Sequence, residues 1–271
     1  MRASNLLKIA ALLLAALTVF LTASCSLTGE DAEETTTEPE VVTMVERPED
    51  VSGIVNFYNT AVNAIKAEKP GVKRNVWADV RDVDTADNAE AKAMIAFAEH
   101  FADSIKEQSE TREYGSDLND FLPIKGSAVV SRLNPEDVVE ATLNDVEDDR
   151  YLYEVHMVLQ DSDENGPAAD AFDFEASKSE ILKTFTDYHD TIEVSDYDVS
   201  YNGCEIFARI NKETDQVVWL KLVKNSVVTA EVNFTGTLVS LGETRVSFNL
   251  QQTQEYQDFV WEAPTEEAVT E

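Results

Sequence analysis

The sequence predicts an α+β protein, a twisted or curved antiparallel sheet with amphipathic helices packed on one face. Between residues 197 and 250 apolar and polar side chains alternate with period two, broken by turn residues, as in a meander with one dry face. Three stretches, 51–68, 88–108 and 177–190, read as amphipathic helices able to cover that face. With 43% apolar and 27% charged residues in 271, the chain is globular in composition.

Each element has its own signal. Val51, Ile54, Val55, Tyr58, Ala61, Val62 and Ile65 recur at helical spacing, and Pro70-Gly71 stops that helix. Val72 to Val80 then alternate as a strand. Ala91, Met94, Ile95, Ala98, Phe101 and Ile105 restore the helical period, and 109–120 read as a loop. Residues 128–133 read as a short strand. Residues 138–146 and 150–160 form a hairpin across Asp148-Asp149, with a helix over 135–146 as the alternative. Asp161 to Asp170 is a polar loop, and Ser177 with Glu180 forms a capping box for the last helix.

Asn202-Gly203 is a strong signal for a two-residue hairpin. It sets Tyr201 opposite Cys204, Val199 opposite Ile206 and Tyr197 opposite Ala208. A turn at 212–215 leads to Val218, Leu220 and Leu222. Val228 to Phe234 and Val246 to Leu250 follow, giving about five strands. The opposite face carries Glu205, Arg209, Lys221, Glu231 and Asn249 and is solvated, apart from Phe207 and Trp219.

Charge narrows the function classes. Fifty-three acidic against 21 basic residues give a net charge of −32, which argues against nucleic acid as a partner. Two cysteines exclude a disulfide scaffold.

The N-terminus carries an address. Arg2 and Lys8 precede an apolar run from Ile9 to Leu21. Thirteen helical residues reach only about 20 Å, short of a ~30 Å hydrocarbon core, so the run fits a signal peptide better than a membrane span. It closes with Leu21-Thr22-Ala23-Ser24-Cys25. This resembles the lipobox of bacterial lipoproteins, with Thr22 where Leu is usual. The resemblance implies that the chain is cut before Cys25 and that the Cys25 thiol carries a diacylglyceryl anchor. It places the protein on the extracytoplasmic face of the cell membrane, lipid-anchored, with the membrane as its first partner. Two acyl chains anchor stably at ~0.8 kcal/mol per buried CH₂.

The resulting plan is a signal peptide over 1–24, an acidic tether over 25–50, one α+β domain over 51–261 and an acidic tail over 262–271. Residues 26–50 hold nine acidic residues and few core formers, which suits a disordered tether. Loss of Arg2 and Lys8 takes the mature charge from −32 to −34. Cys204 is then the one remaining thiol and reads as a small buried strand residue.

Few motifs carry chemistry. Asp161, Asp163 and Asn165, followed by Gly166, match the first half of a calcium loop. An EF-hand needs Glu at position 12, where Phe172 stands, so calcium is a weak candidate cofactor and a plain polar loop is the competing reading. His100, His156 and His189 lack partners at metal-ligand spacing. No catalytic signature appears, and no catalytic residue is assigned.

The sequence therefore points to a non-catalytic binding or carrier lipoprotein with an apolar small molecule, a lipid for instance, between sheet and helices. The alternative is a module that docks another envelope protein through its sheet, and an enzyme is the weakest reading. Signal, tether and pattern together resemble surface lipoproteins of Gram-positive bacteria. At the level of fold alone there is a loose similarity to half-barrel lipid-carrier lipoproteins.

Overall fold

Two 18-residue strands form the spine of the molecule. The computed structural model describes residues 47–81, 107–163, 166–167, 171–172 and 192–263. In chain order these form α1 (Val51–Glu68), β1 (Gly71–Arg81), β2 (Gln108–Arg112), a 3-10 turn (Pro135–Asp137), β3 (Val138–Val146), β4 (Asp149–Leu159) and β5 (Ser162–Asp163). They continue with β6 (Ile192–Tyr201), β7 (Glu205–Asn211), β8 (Val217–Phe234), a second 3-10 turn (Gly236–Leu241) and β9 (Glu243–Val260). At ~3.3 Å per residue, β8 and β9 are each about 60 Å long.

All pairings are antiparallel, in the order β2-β1-β9-β8-β7-β4-β3, with β6 and β5 extending the rows of β7 and β4. The sheet is open, with β2 and β3 at its edges. It dominates the described chain, and α1 packs on its inner face. The expected helices over 88–108 and 177–190 lie outside the described residues, save for Glu107 and for Gln108, which opens β2.

Helix α1 matches its sequence signal. Asp50 caps it, the carboxylate accepting the Gly53 N–H at 2.6 Å, and Lys69 closes it in the left-handed region at φ 55°. Its apolar stripe of Ile54, Val55, Tyr58, Ala61, Val62 and Ile65 is buried. It clusters with Val155, Met157 and Leu159 of β4, Ile206, Ala208 and Ile210 of β7, Leu220 and Leu222 of β8, and Tyr256 of β9.

Several expectations are corrected. Residues 108–112 are a strand rather than the start of a loop, because β1 offers an open edge with Val72 to Val76 in register. The alternative helix over 135–146 reduces to one 3-10 turn, and β3 follows it directly. Residues 128–133 form no strand, since side chains of α1 take up their backbone groups. Val217 rather than Val218 joins the core, because a bulge at Arg209/Ile210 puts an extra residue into β8. Residues 217–234 make one continuous strand, where two were expected.

The largest correction concerns Asn202-Gly203. Strands β6 and β7 do not pair with each other. Both pair with the same edge of β8, β6 from Ile192↔Phe234 to Tyr201↔Ser226 and β7 from Glu205↔Val223 onward. They are one long strand with one extra residue at the join. A type I′ hairpin needs positive φ at both central residues, and here Gly203 has it (59°) while Asn202 does not. Gly203 makes a bulge. On the far side β4 and β5 continue in step across the join, through Val158↔Glu205 and Ser162↔Tyr201.

Candidate functional site

Cys25 lies outside the described residues, as does Asn165. Asp161 is engaged with the Gly203 bulge, its Oδ1 accepting the Gly203 N–H at 3.0 Å. Asp163 sits in β5, paired with Ser200. Within the calcium motif Ser162 and Asp163 are therefore strand, and the Asp161 carboxylate holds a backbone amide. Among the described residues, no group of three His, Cys, Asp or Glu side chains is placed to hold a metal ion.

Cys204 is buried at the same bulge, its Sγ 3.4 Å from the Asn225 carbonyl oxygen. Burial pushes its thiol up to about 11, partly offset by that contact. His156 bonds Glu205 at 2.8 Å and stacks on Phe207, with ring centroids 4.4 Å apart. His100 and His189 lie outside the described residues.

The outer face of the sheet gathers most of the described chemistry. Its central strands carry direct cross-strand pairs, His156 beside Phe207, Phe207 beside Lys221, Lys221 beside Glu255, and Glu154 beside Arg209 beside Trp219. Arg209 bonds Glu154 at 2.8 Å and lies 5.0 Å from the centre of the Trp219 ring. The Trp219 indole N–H donates to Glu255 at 2.8 Å, and Lys221 lies 5.7 Å from the Phe207 ring. The two aromatics that looked unsuited to a solvated face are thus flanked by cations and carboxylates of this chain. They are part of a self-paired surface.

Next to this ladder lies a hollow of about 380 Å³. Arg81, Asn202, Glu205, Asn225, Asn249 and Gln251 supply its polar wall. Asn225 holds the wall together, accepting from Gln251 at 2.7 Å and donating to the Gly203 carbonyl at 2.7 Å. The lining suits a polar ligand, and the hydroxyl among its described residues, Ser226, donates to the Leu250 carbonyl at 3.2 Å rather than to a base.

The inner face is different. Where α1 lies, Val55, Val62 and Ile65 have no solvent exposure. Beside α1 runs the strap 118–133, which buries Leu118, Phe121, Leu122, Val130 and Leu133. A polar row of α1 holds it. Asn59 donates to the Leu133 carbonyl, and Asn63 accepts the Val130 and Ser131 N–H groups while donating to the Ser131 carbonyl. Lys66, 5% exposed, donates to the carbonyls of Pro123, Ile124, Ser127 and Val129 at 2.7–3.1 Å. Beyond Leu222 the inner face carries a short polar belt, with Ser226, Gln252 and Gln254 buried, and then a second buried apolar row of Val228, Ala230, Val232, Phe234 and Phe248.

This row is not among the residues that stand out from the sequence. Asn59, Asn63 and Lys66 stand at i, i+4 and i+7, one helical face, and that spacing was the available signal. Comparison with protein-family models, curated proteins and solved structures finds no match for the chain.

Proposed function

We propose that this chain is a lipid-anchored, extracytoplasmic docking module that binds a partner of the cell envelope and converts nothing. The observation that carries this reading is the inner face filled by α1 and the strap. An apolar cargo needs an apolar cavity between helix and sheet. In the half of the sheet that α1 covers, Val55, Val62, Ile65 and the strap residues occupy that space. The hollow described above opens instead on the outer face and has polar walls. Of the two readings the sequence raises, carrier and docking module, this favours docking.

The anchor at Cys25 and the acidic tether complete the proposal, as does the finer α+β architecture with further helices on the inner face. A diacyl anchor confines the module to the membrane surface, where even a weak contact gains effective concentration.

Two measurements test it. Intact mass of the membrane-extracted protein should show a diacylglyceryl adduct on Cys25, and Cys25→Ala should release the protein from the membrane fraction. Native mass spectrometry of residues 26–271, purified without denaturant, should give the bare chain. A co-purified lipid would restore the carrier reading, and an unmodified Cys25 would remove the anchor.

A further inference from the structure

We propose that the edge strand β3 is the docking element, and that it takes an extended cationic segment of a partner protein as an added antiparallel strand. The inference rests on the docking reading above and names the partner's chemistry.

Strand β3 is the last strand of the sheet, paired on one side with β4. No described strand pairs with its other side. Its ladder runs in regular register from Glu140 to Asp145, between irregularities at Val138/Glu140 and Asp145/Val146. Val139 is 58% exposed, and Glu140, Asn144 and Asp145 are exposed as well. Proteins usually blunt such an edge with lysine, proline or a very short strand. The opposite edge strand follows that pattern, because β2 has five residues and carries its own Arg112–Glu110 pair. Strand β3 has nine residues and neither lysine nor proline.

Charge selects the occupant. Residues 136–149 hold seven carboxylates and no base. Three are used within the fold: Asp137 accepts the Asn134 N–H, Asp149 accepts the Tyr151 N–H, and Asp145 pairs with Lys212. Glu136, Glu140, Glu147 and Asp148 have no hydrogen-bond or ion-pair partner among the described residues. A second copy added at β3 would set carboxylates against carboxylates, which is unfavourable in a cross-strand pair. A strand bearing Lys or Arg gains where a second copy loses.

The pleat refines the pattern. Glu140, Thr142 and Asn144 pair with Val158, His156 and Glu154 on the outer face, whereas Ala141 and Leu143 pair with Met157 and Val155 of the core. The added strand should therefore alternate, cationic residues on the outer side and small apolar residues on the inner side. Main-chain bonds would supply affinity and the alternation specificity.

The test uses residues 25–271 and an acetylated, amidated Lys-Val-Lys-Ala-Lys-Val-Lys peptide at physiological salt, read by amide hydrogen exchange. Saturating peptide should slow exchange within 138–146 by about tenfold or more. The same peptide N-methylated at alternate residues keeps its charge and cannot complete the ladder, so it should give no such slowing. Glu140→Lys combined with Asn144→Lys, both at exposed positions, should weaken binding about tenfold or more. Absent protection at β3, protection elsewhere, or equal protection by the methylated peptide each overturns the proposal. Should the double variant fail to fold, the methylated peptide still decides. A lipid found by native mass spectrometry would instead sink the docking reading, so the two failures are distinguishable.

Discussion

The Lys66 ammonium lies 2.7 Å from the carbonyl oxygen of Pro123, 57 residues away in sequence and at the far side of a helix–strap contact. Three further carbonyls, of Ile124, Ser127 and Val129, complete the cage. Ile124 holds φ at 56°, a conformation that β-branched residues avoid, while its carbonyl bonds Lys66. Lysine in a last helical turn is ordinary, because it offsets the negative end of the helix dipole. Here it leaves its own helix and organises a neighbouring loop.

Replacing Lys66 with Met should lower unfolding stability by about 3 kcal/mol, since several buried carbonyls lose their donor at once. A urea titration followed by circular dichroism measures it. A loss under about 1 kcal/mol would mean that water reaches the cage in its absence.

Asn63 does for the strap what a strand partner does for a β-edge, so Asn63→Leu should cost about 2 kcal/mol, leaving the Val130 and Ser131 N–H groups unpaired. The double variant with Lys66→Met should cost less than the sum of the two, because a detached strap is lost as one unit. Strict additivity in the same urea titrations would show that the strap does not act cooperatively.

Much of this fold was legible where a periodic signal met few alternatives. Helix α1, strand β1, the β3–β4 hairpin and the burial of Cys204 follow from spacing alone. The Asn202-Gly203 error has a physical cause. A two-residue turn and a one-residue bulge both reverse the parity of burial, and both put Tyr197 and Tyr201 on the same face as Cys204, Ile206 and Ala208. Periodicity cannot separate them. What decides is the 18-residue edge of β8, a non-local partner. The strap escaped notice for a related reason, because its backbone is satisfied by side chains 67–74 residues earlier in the chain. The outer face read correctly as solvated, but its Phe207 and Trp219 could be placed only once their cationic neighbours on adjacent strands were known.

The bulge makes its own prediction. Gly203 has φ 59° and open space where a Cβ would go, so Gly203→Ala should cost about 1 kcal/mol through backbone strain alone, and Gly203→Asn less. Asp161→Ala should also destabilise by about 1 kcal/mol, because the Gly203 N–H loses its acceptor. A hairpin between β6 and β7 would have no need of Asp161, so a neutral Asp161→Ala in thermal melts would argue against the bulge.

Cys204 predicts an alkaline limb. Its folded thiol is raised from 9.0 to about 11 by burial. The folded state therefore keeps the proton over a range in which the unfolded state releases it. Stability from this group is intact below about pH 9 and declines as pH rises toward about 11. Cys204→Ala should flatten that part of the urea midpoint–pH curve, leaving the share of Tyr58, whose phenol is also raised by burial and by Tyr256. A thiol reagent at pH 8 should label residues 26–271 only once denaturant is added.

Asp145 predicts the acid limb at the other end of the scale. The hydrogen bond from Lys212 at 2.7 Å, together with the charges of Lys212 and Arg47, holds its carboxyl below the usual range. A lowered carboxyl pKa means that the unfolded state takes up the proton first as pH falls. The stabilisation is thus present above the ordinary carboxylate range and lost as pH drops through the lowered value. Asp145 is exposed, so salt should weaken the effect. Asp145→Asn should shallow the acid side of the stability–pH curve at low ionic strength, and the difference from the parent should shrink in high salt. Lys212→Met should reproduce most of it, because Lys212 supplies both the hydrogen bond and a charge, while Arg47 stands farther off at 3.8 Å. If Lys212→Met left the acid limb unchanged while Asp145→Asn altered it, the proton linkage would belong to some other neighbour of Asp145.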